Sequence, residues 1–105
     1  MKVEIVEFYE EERDDSKQFL RGSLHVFLPE LNIDIRGCSV SKKKNWWHIT
    51  LPFRKGFDQE KAEFVRYPVF SFLDRAKNEE FIREVRREGR LYVEEKMKIE
   101  AGKVK

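Results

Sequence analysis

Basic and aromatic side chains that could bind a phosphate polymer are concentrated between residues 36 and 55. This segment holds six Lys or Arg residues and no Asp or Glu, although the whole chain carries a formal net charge of only +2. Cationic side chains pair with phosphates and release their counterions. An exposed tryptophan can stack on an unpaired base. The sequence therefore predicts a nucleic-acid-binding site formed by Lys42, Lys43, Lys44, Trp46, Arg54 and Lys55.

The same residues also have a purely structural interpretation. A run of three lysines is common in a solvated turn, and lysine side chains protect the edge of a sheet against pairing with other chains. Trp46 and Trp47 could both serve in packing. The sequence leaves the binding interpretation and the structural interpretation open.

Groups that could carry catalysis or hold a metal are few and widely spaced. The chain has two histidines, His25 and His48, and one cysteine, Cys38. Both histidines fall on predicted strands, where they could form a partly exposed pair across neighbouring strands. The two histidines, Cys38 and Asp34 together show none of the short ligand spacings that are typical of metal sites. We therefore predict that the protein is not an enzyme and has no catalytic residue, metal site, cofactor or small-molecule substrate. We expect the thiol of Cys38 to be buried and inert.

A second set of basic residues recurs at helical spacing near the C-terminus. Arg83, Arg87 and Arg90 lie within one helical turn of several glutamates, so that ion pairs between residues three or four apart are expected. These glutamates are Glu79, Glu80, Glu84 and Glu88. We expect this stripe to be a solvated, self-neutralised face.

The elements that must position the central basic residues form a predicted β-hairpin over residues 31–55. Apolar and polar residues alternate along both arms, as in strands with one buried face. A polar turn over residues 41–45 joins the arms. In the second arm one face carries Trp47, Ile49, Leu51 and Phe53, and the other carries Trp46, His48 and Thr50.

Two further strands precede the hairpin. Residues 2–9 are rich in β-branched and aromatic side chains, and residues 17–28 alternate after Gly22, which predicts a bulge or a close backbone approach. Short polar connections favour a meander. We expect a mobile loop over residues 56–63, and Pro68 restricts any later strand to a short one or to an edge.

A C-terminal helix is predicted to begin near a capping Asp74 or Asn78 and to end near Glu88, with Gly89 as its stop signal. Its apolar stripe contains Ala76, Phe81, Ile82 and Val85, joined by Phe72 and Leu73. The predicted fold class is α+β, with a four- to five-stranded antiparallel meander sheet and one C-terminal helix packed on a face. We predict one domain over residues 1–93 and a charged, frayed tail over residues 94–105.

Size and composition limit the class of protein. The 105 residues suffice for one modest core, and 40% of them are charged. A single cysteine excludes an intramolecular disulfide. No apolar stretch predicts a signal peptide or a spanning helix, so we expect a cytoplasmic location without membrane contact. The first fifteen residues hold seven acidic and two basic side chains, so this end repels phosphate.

In this order, the elements resemble the SpoVG family of small bacterial septation regulators, which bind DNA and RNA. Residues 32–36 resemble its hydrophobic-His-Asp-Ile-Arg-Val strand, residues 46–55 its Phe-Val-x-Met-Pro-Ser-Lys-Arg segment, and residues 64–69 its Phe-Arg-Asp-Ile-x-His-Pro-Ile stretch. The resemblance covers roughly residues 22–88. It implies a twisted antiparallel sheet with a C-terminal helix, a dimer, and nucleic-acid binding through basic residues, including Arg54 and Lys55, which fall on the family's basic pair.

The function expected from these observations is non-catalytic nucleic-acid binding in the regulation of transcription, with residues 36–55 as the contact surface. One helix leaves the other face of the sheet open, and Trp46, Phe8 and Phe27 are candidates to cover it in a homodimer. The alternative is a protein-protein interaction or assembly module without nucleic-acid affinity, in which acidic residues 1–15 meet the basic hairpin of a neighbour.

Overall fold

The computed structural model describes residues 1–103, with side chains through residue 100. Six strands are followed by one long helix, and a 3-10 turn at Asp15–Lys17 joins the first two strands. The elements are β1 (Glu4–Asp14), β2 (Phe19–Leu28), β3 (Ile33–Lys43), β4 (Trp46–Thr50), β5 (Phe53–Asp58), β6 (Glu63–Pro68) and α1 (Arg75–Lys103).

The first four strands form an antiparallel sheet in the order β1-β2-β3-β4, and α1 packs on one face of it. This arrangement confirms the predicted α+β fold and the meander. Alternation decides which side chains face the helix. Val40 and Ile49 pair across β3 and β4 and are both buried, whereas their neighbours Ser39 and His48 are exposed.

The core joins this sheet face to the helix. Leu24, Val26 and Leu28 of β2 are each 1% exposed or less, and they share a cluster with Phe81 and Val85 of α1. Burying such side chains contributes about 1.5–3 kcal/mol each. The helix packing therefore fixes which face of the four-stranded sheet is buried.

At Gly22 the backbone of β2 lies very close to β1, as predicted. The pairing of β1 with β2 shifts register between Glu10 and Glu12, next to the pairing of Glu10 with Gly22. A Cβ atom on Gly22 would lie 2.3 Å from the Tyr9 carbonyl oxygen and 2.6 Å from the Phe8 ring. Only glycine fits between these groups without a shift of the backbone.

The predicted second hairpin arm is divided in two. β4 ends at Thr50, and after Leu51 and Pro52 the chain enters β5, which pairs with β6 in a separate two-stranded sheet. Pro52 has no N–H to donate, so the ladder with β3 cannot continue through it. The prediction of a loop over residues 56–63 is wrong, because the turn is confined to residues 59–62. The short strand expected at Pro68 is confirmed, since β6 ends there.

The helix begins as predicted but does not end as predicted. Asp74 caps it, accepting a hydrogen bond from the Lys77 N–H at 3.0 Å, and Phe81 and Val85 are buried. Leu73 and Ala76 are exposed and do not extend the apolar stripe.

Gly89 lies within the helix rather than at its end. A Cβ atom there would lie 2.7 Å from Leu24 Cδ1, so the glycine permits close packing of the helix on β2. The helix continues to Lys103, with Val93 fully buried and Met97 packed against the core. The predicted end near Glu88 and the frayed tail are therefore wrong as far as residue 103, and residues 104–105 lie outside the described residues.

Replacing the buried Val93 by alanine tests this longer helix. We expect Val93→Ala to lower the free energy of unfolding by about 2 kcal/mol, because two buried methyl groups are lost and a cavity remains. Leu91→Ala is the matched control, since Leu91 is 52% exposed on the same turn. Urea denaturation measures both variants. An equally small effect of the two changes would contradict the packing of residues 89–100.

Candidate nucleic-acid interface

The lysine-rich turn joins β3 to β4 at one end of the sheet. Lys42 pairs with Trp47 and Lys43 pairs with Trp46 across the two strands, and Lys44 holds the turn with a positive φ of 57°. The Lys44 N–H donates to the Gln18 carbonyl at 2.9 Å, which fixes the turn against the start of β2. Among residues 1–100 none of these three lysines makes an ion pair with a carboxylate, so their charges are available to a ligand.

Trp46 and Trp47 lie on opposite sides of β4 because successive residues of a strand alternate. Trp47 is half-buried beside α1, with the Lys42 Nζ atom 5.5 Å from its ring centroid. Trp46 is 64% exposed on the face that the helix leaves open. Its ring stacks on that of His48, with centroids 5.4 Å apart and planes inclined by 9°. These two rings form a flat, exposed aromatic surface next to the lysine turn.

Arg54 and Lys55 do not join the lysine turn. They lie on β5, where they pair with Tyr67 and Arg66 of β6. β4, which is about 16 Å long at the usual rise of ~3.3 Å per residue, lies between them and the turn in the chain. The six predicted site residues therefore divide into two groups, one at each end of β4, and only Lys42, Lys43, Lys44 and Trp46 are brought together.

A groove between β4 and α1 brings Arg87 and Arg90 of the arginine stripe next to β4, and it adds Arg86, which the sequence did not indicate. Its volume is about 640 Å³, and its lining includes Trp47, His48, Arg86, Arg87 and Arg90. The Arg86 Nε–H donates to the Ile49 carbonyl at 3.1 Å, which ties the helix to the exposed edge of β4. The helical spacing of Arg83, Arg87 and Arg90 indicates one helix face, but nothing in the sequence pairs that face, or Arg86, with β4.

The arginine stripe is partly neutralised, as expected. Arg87 makes ion pairs with Glu84 at 2.7 Å and with Glu88 at 2.9 Å. Arg90 pairs instead with Glu94, at 2.8 Å. Hydrogen bonding to the Arg87 guanidinium holds the pKa of the Glu84 carboxyl below its usual range.

Acidic and basic side chains lie at opposite edges of the four-stranded sheet. β1 carries most of the acidic residues of the N-terminal segment 1–15 and is the edge strand farthest from β4. Lys96 of α1 donates to Glu7 Oε1 at 2.7 Å and to the Phe8 carbonyl at 2.8 Å. Hydrogen bonding to Lys96 lowers the pKa of the Glu7 carboxyl. The sheet thus separates an acidic edge from a basic, aromatic one.

The histidines do not form the pair that the sequence allowed. His25 on β2 and His48 on β4 are separated by β3. His25 is 9% exposed and hydrogen-bonds to Asp34, whose pKa is lowered by this contact. Cys38 is fully buried, and burial raises the pKa of its thiol to about 11. Within the part of the chain that the structure describes, no group of three or more His, Cys, Asp or Glu side chains could hold a metal ion.

Comparisons with known proteins do not identify the chain. No protein-family model, no curated protein and no solved structure matches it. Over residues 1–103, α1 is the one long helix, and it is too polar to cross a membrane.

The burial of Cys38 predicts low reactivity. At pH 8 we expect no measurable reaction of the native thiol with Ellman's reagent over minutes, because the thiolate fraction is about 0.1% for a pKa near 11 and the sulfur is fully buried. In 6 M guanidinium the same thiol should react fully. Absorbance at 412 nm measures both reactions, and rapid labelling of the native protein would contradict the position of Cys38.

Proposed function

We propose that the chain is a small, non-catalytic nucleic-acid-binding regulatory protein. The observation that carries this proposal is the juxtaposition of the lysine turn with the stacked Trp46 and His48 rings. Three cations without carboxylate partners among residues 1–100 offer phosphate contacts. An exposed aromatic surface offers base stacking, which contributes about 1–3 kcal/mol per base.

The distribution of charge supports this function. The acidic edge at β1 repels a polyanion, so a nucleic acid approaches the edge formed by β4. The resemblance to the SpoVG family points in the same direction, and a role in transcription regulation in the cytoplasm is part of the proposal. Arg54 and Lys55 then form a separate basic segment on β5.

We further propose that the protein acts as a homodimer and that the β5–β6 hairpin contributes to the interface. An isolated two-stranded hairpin is marginally stable. This one exposes Phe53, Phe57 and Phe64 on one face and Tyr67 on the other, and the exposed Val69 follows β6 directly. The earlier expectation that Phe8 covers an open sheet face is wrong, because Phe8 is 4% exposed beneath α1. A second copy of the chain is the occupant that the resemblance implies.

Charge reversal in the turn tests the nucleic-acid proposal. We expect Lys43→Glu/Lys44→Glu to weaken oligonucleotide binding at least tenfold and to reduce the salt dependence of the affinity, since about two phosphate contacts are lost. The control is Lys2→Glu/Lys77→Glu, which reverses two exposed charges far from the turn. Fluorescence anisotropy at several salt concentrations measures binding. Absence of binding at low salt would overturn the proposal and favour the protein-interaction alternative.

Disruption of the hairpin tests the dimer. Phe57 and Phe64 contact each other across β5 and β6, with centroids 5.3 Å apart. We expect the native chain to be dimeric at micromolar concentration and Phe57→Ser/Phe64→Ser to be monomeric by light scattering after size exclusion. Tyr9→Ser, which alters an exposed aromatic on β1, should remain dimeric. A monomeric native chain would contradict the dimer and leave the binding proposal standing.

A further inference from the structure

Two neighbouring cavities form one trough along β4. The groove of about 640 Å³ and a second cavity of about 310 Å³ share Trp47, Arg90 and Glu94 in their linings. The second cavity extends the trough to Lys42 in the lysine turn and to Lys98 on α1. The trough therefore runs beside the whole edge strand and ends at the proposed phosphate-binding turn.

The lining of the trough has an excess of basic side chains, of which Arg87 and Arg90 are paired with glutamates. It contains Lys42, Arg86, Arg87, Arg90 and Lys98, against the single carboxylate of Glu94. Among residues 1–100, Lys42, Arg86 and Lys98 make no ion pair. These are groups that pair readily with phosphate oxygens.

Arg86 is oriented for an anion. Its Nε–H is used by the Ile49 carbonyl, so the two terminal nitrogens remain for a ligand. On the opposite wall, the Trp47 ring holds two cations, with Lys42 Nζ at 5.5 Å and the Arg90 guanidinium carbon at 5.8 Å from its centroid. Cation-π contacts of this kind fix the positions of both charges along the trough.

The rim of the trough is aromatic. His48 lines the groove and also stacks on Trp46, which faces the other side of β4. A polymer that lies in the trough and carries planar groups along one side could therefore extend these groups across β4 and stack them on the rings of Trp46 and His48. A single-stranded nucleic acid has this form, whereas the bases of a duplex are already paired and stacked.

We propose that the trough binds a single-stranded nucleic acid, with its phosphodiester backbone along the basic lining and its bases on Trp46 and His48. This inference rests on the proposed function and specifies its ligand. β4 is about 16 Å long at ~3.3 Å per residue, which accommodates a few nucleotides of an extended strand. A site of that length is close to the lower limit of about four nucleotides for proteins that bind single strands.

Competition between single-stranded and duplex oligonucleotides of one sequence tests this inference by fluorescence anisotropy. We expect the single strand to bind at least tenfold more tightly than the duplex. Arg86→Gln should weaken single-strand binding fivefold or more, and Trp46→Ala tenfold, with partial recovery in Trp46→Phe. DNA and RNA versions of the single strand distinguish the two sugar types.

Matched controls separate the trough from general charge and general aromatic content. Arg75→Gln removes the same charge about 16 Å away along α1, and Tyr9→Ala removes an exposed ring at the opposite edge of the sheet. Both should change the affinity less than twofold. If Arg86→Gln lowers the melting temperature, Leu91→Glu serves instead, because it places a carboxylate in the groove from an exposed position.

Each outcome has a definite meaning. Duplex binding as tight as single-strand binding, or variants that behave like their controls, would overturn the trough while leaving nucleic-acid binding through the lysine turn intact. Absence of binding to both oligonucleotides would overturn the proposed function as well. Loss of single-strand binding in Arg86→Gln or Leu91→Glu and in Trp46→Ala, with both controls unchanged, would establish the trough.

Discussion

The structure depends on the packing of α1 along one face of the four-stranded sheet. Phe81, Val85, Gly89 and Val93 recur every four residues and are all buried. The glycine brings the helix against Leu24 closely enough to exclude any side chain. Residues repeating at this spacing share one helix face, so the contact continues over several turns. The buried apolar residues of the described chain form one cluster at this layer contact, which also decides which residues of the four-stranded sheet remain exposed.

The helix also secures both edges of the sheet. Arg86 donates to a carbonyl of β4, and Lys96 donates to a carbonyl of β1. Edge carbonyls otherwise offer pairing sites to other chains. Because the residue that protects β4 is an arginine, the same contact that stabilises the sheet directs positive charge into the trough. Structural and proposed functional roles thus coincide at Arg86.

The end of β4 before Pro52 explains why the basic segment of residues 36–55 is divided between the lysine turn and β5. A continuous strand would have carried the lysine turn and Arg54 on one hairpin, and Pro52 interrupts that continuity by removing a backbone donor. The chain then forms a second small sheet whose aromatic side chains remain exposed. The molecule consequently presents two kinds of surface, a basic and aromatic edge and an apolar hairpin.

The sequence by itself determined the features that depend on local periodicity and composition. Alternation in β3 and β4 predicted the position of the lysine turn and the opposite facing of Trp46 and Trp47, because strand geometry is fixed by neighbouring residues. Together with the capped apolar stripe of the C-terminal helix, it predicted the α+β class. Only the tertiary structure decided the role of Gly89, the length of α1 and the trough between α1 and β4. A glycine ends a helix or admits a close neighbour according to what packs beside it, and no local pattern encodes that neighbour. For the same reason, the sequence could not show the hydrogen bond from Arg86 to the Ile49 carbonyl, because the two residues are 37 positions apart in the chain.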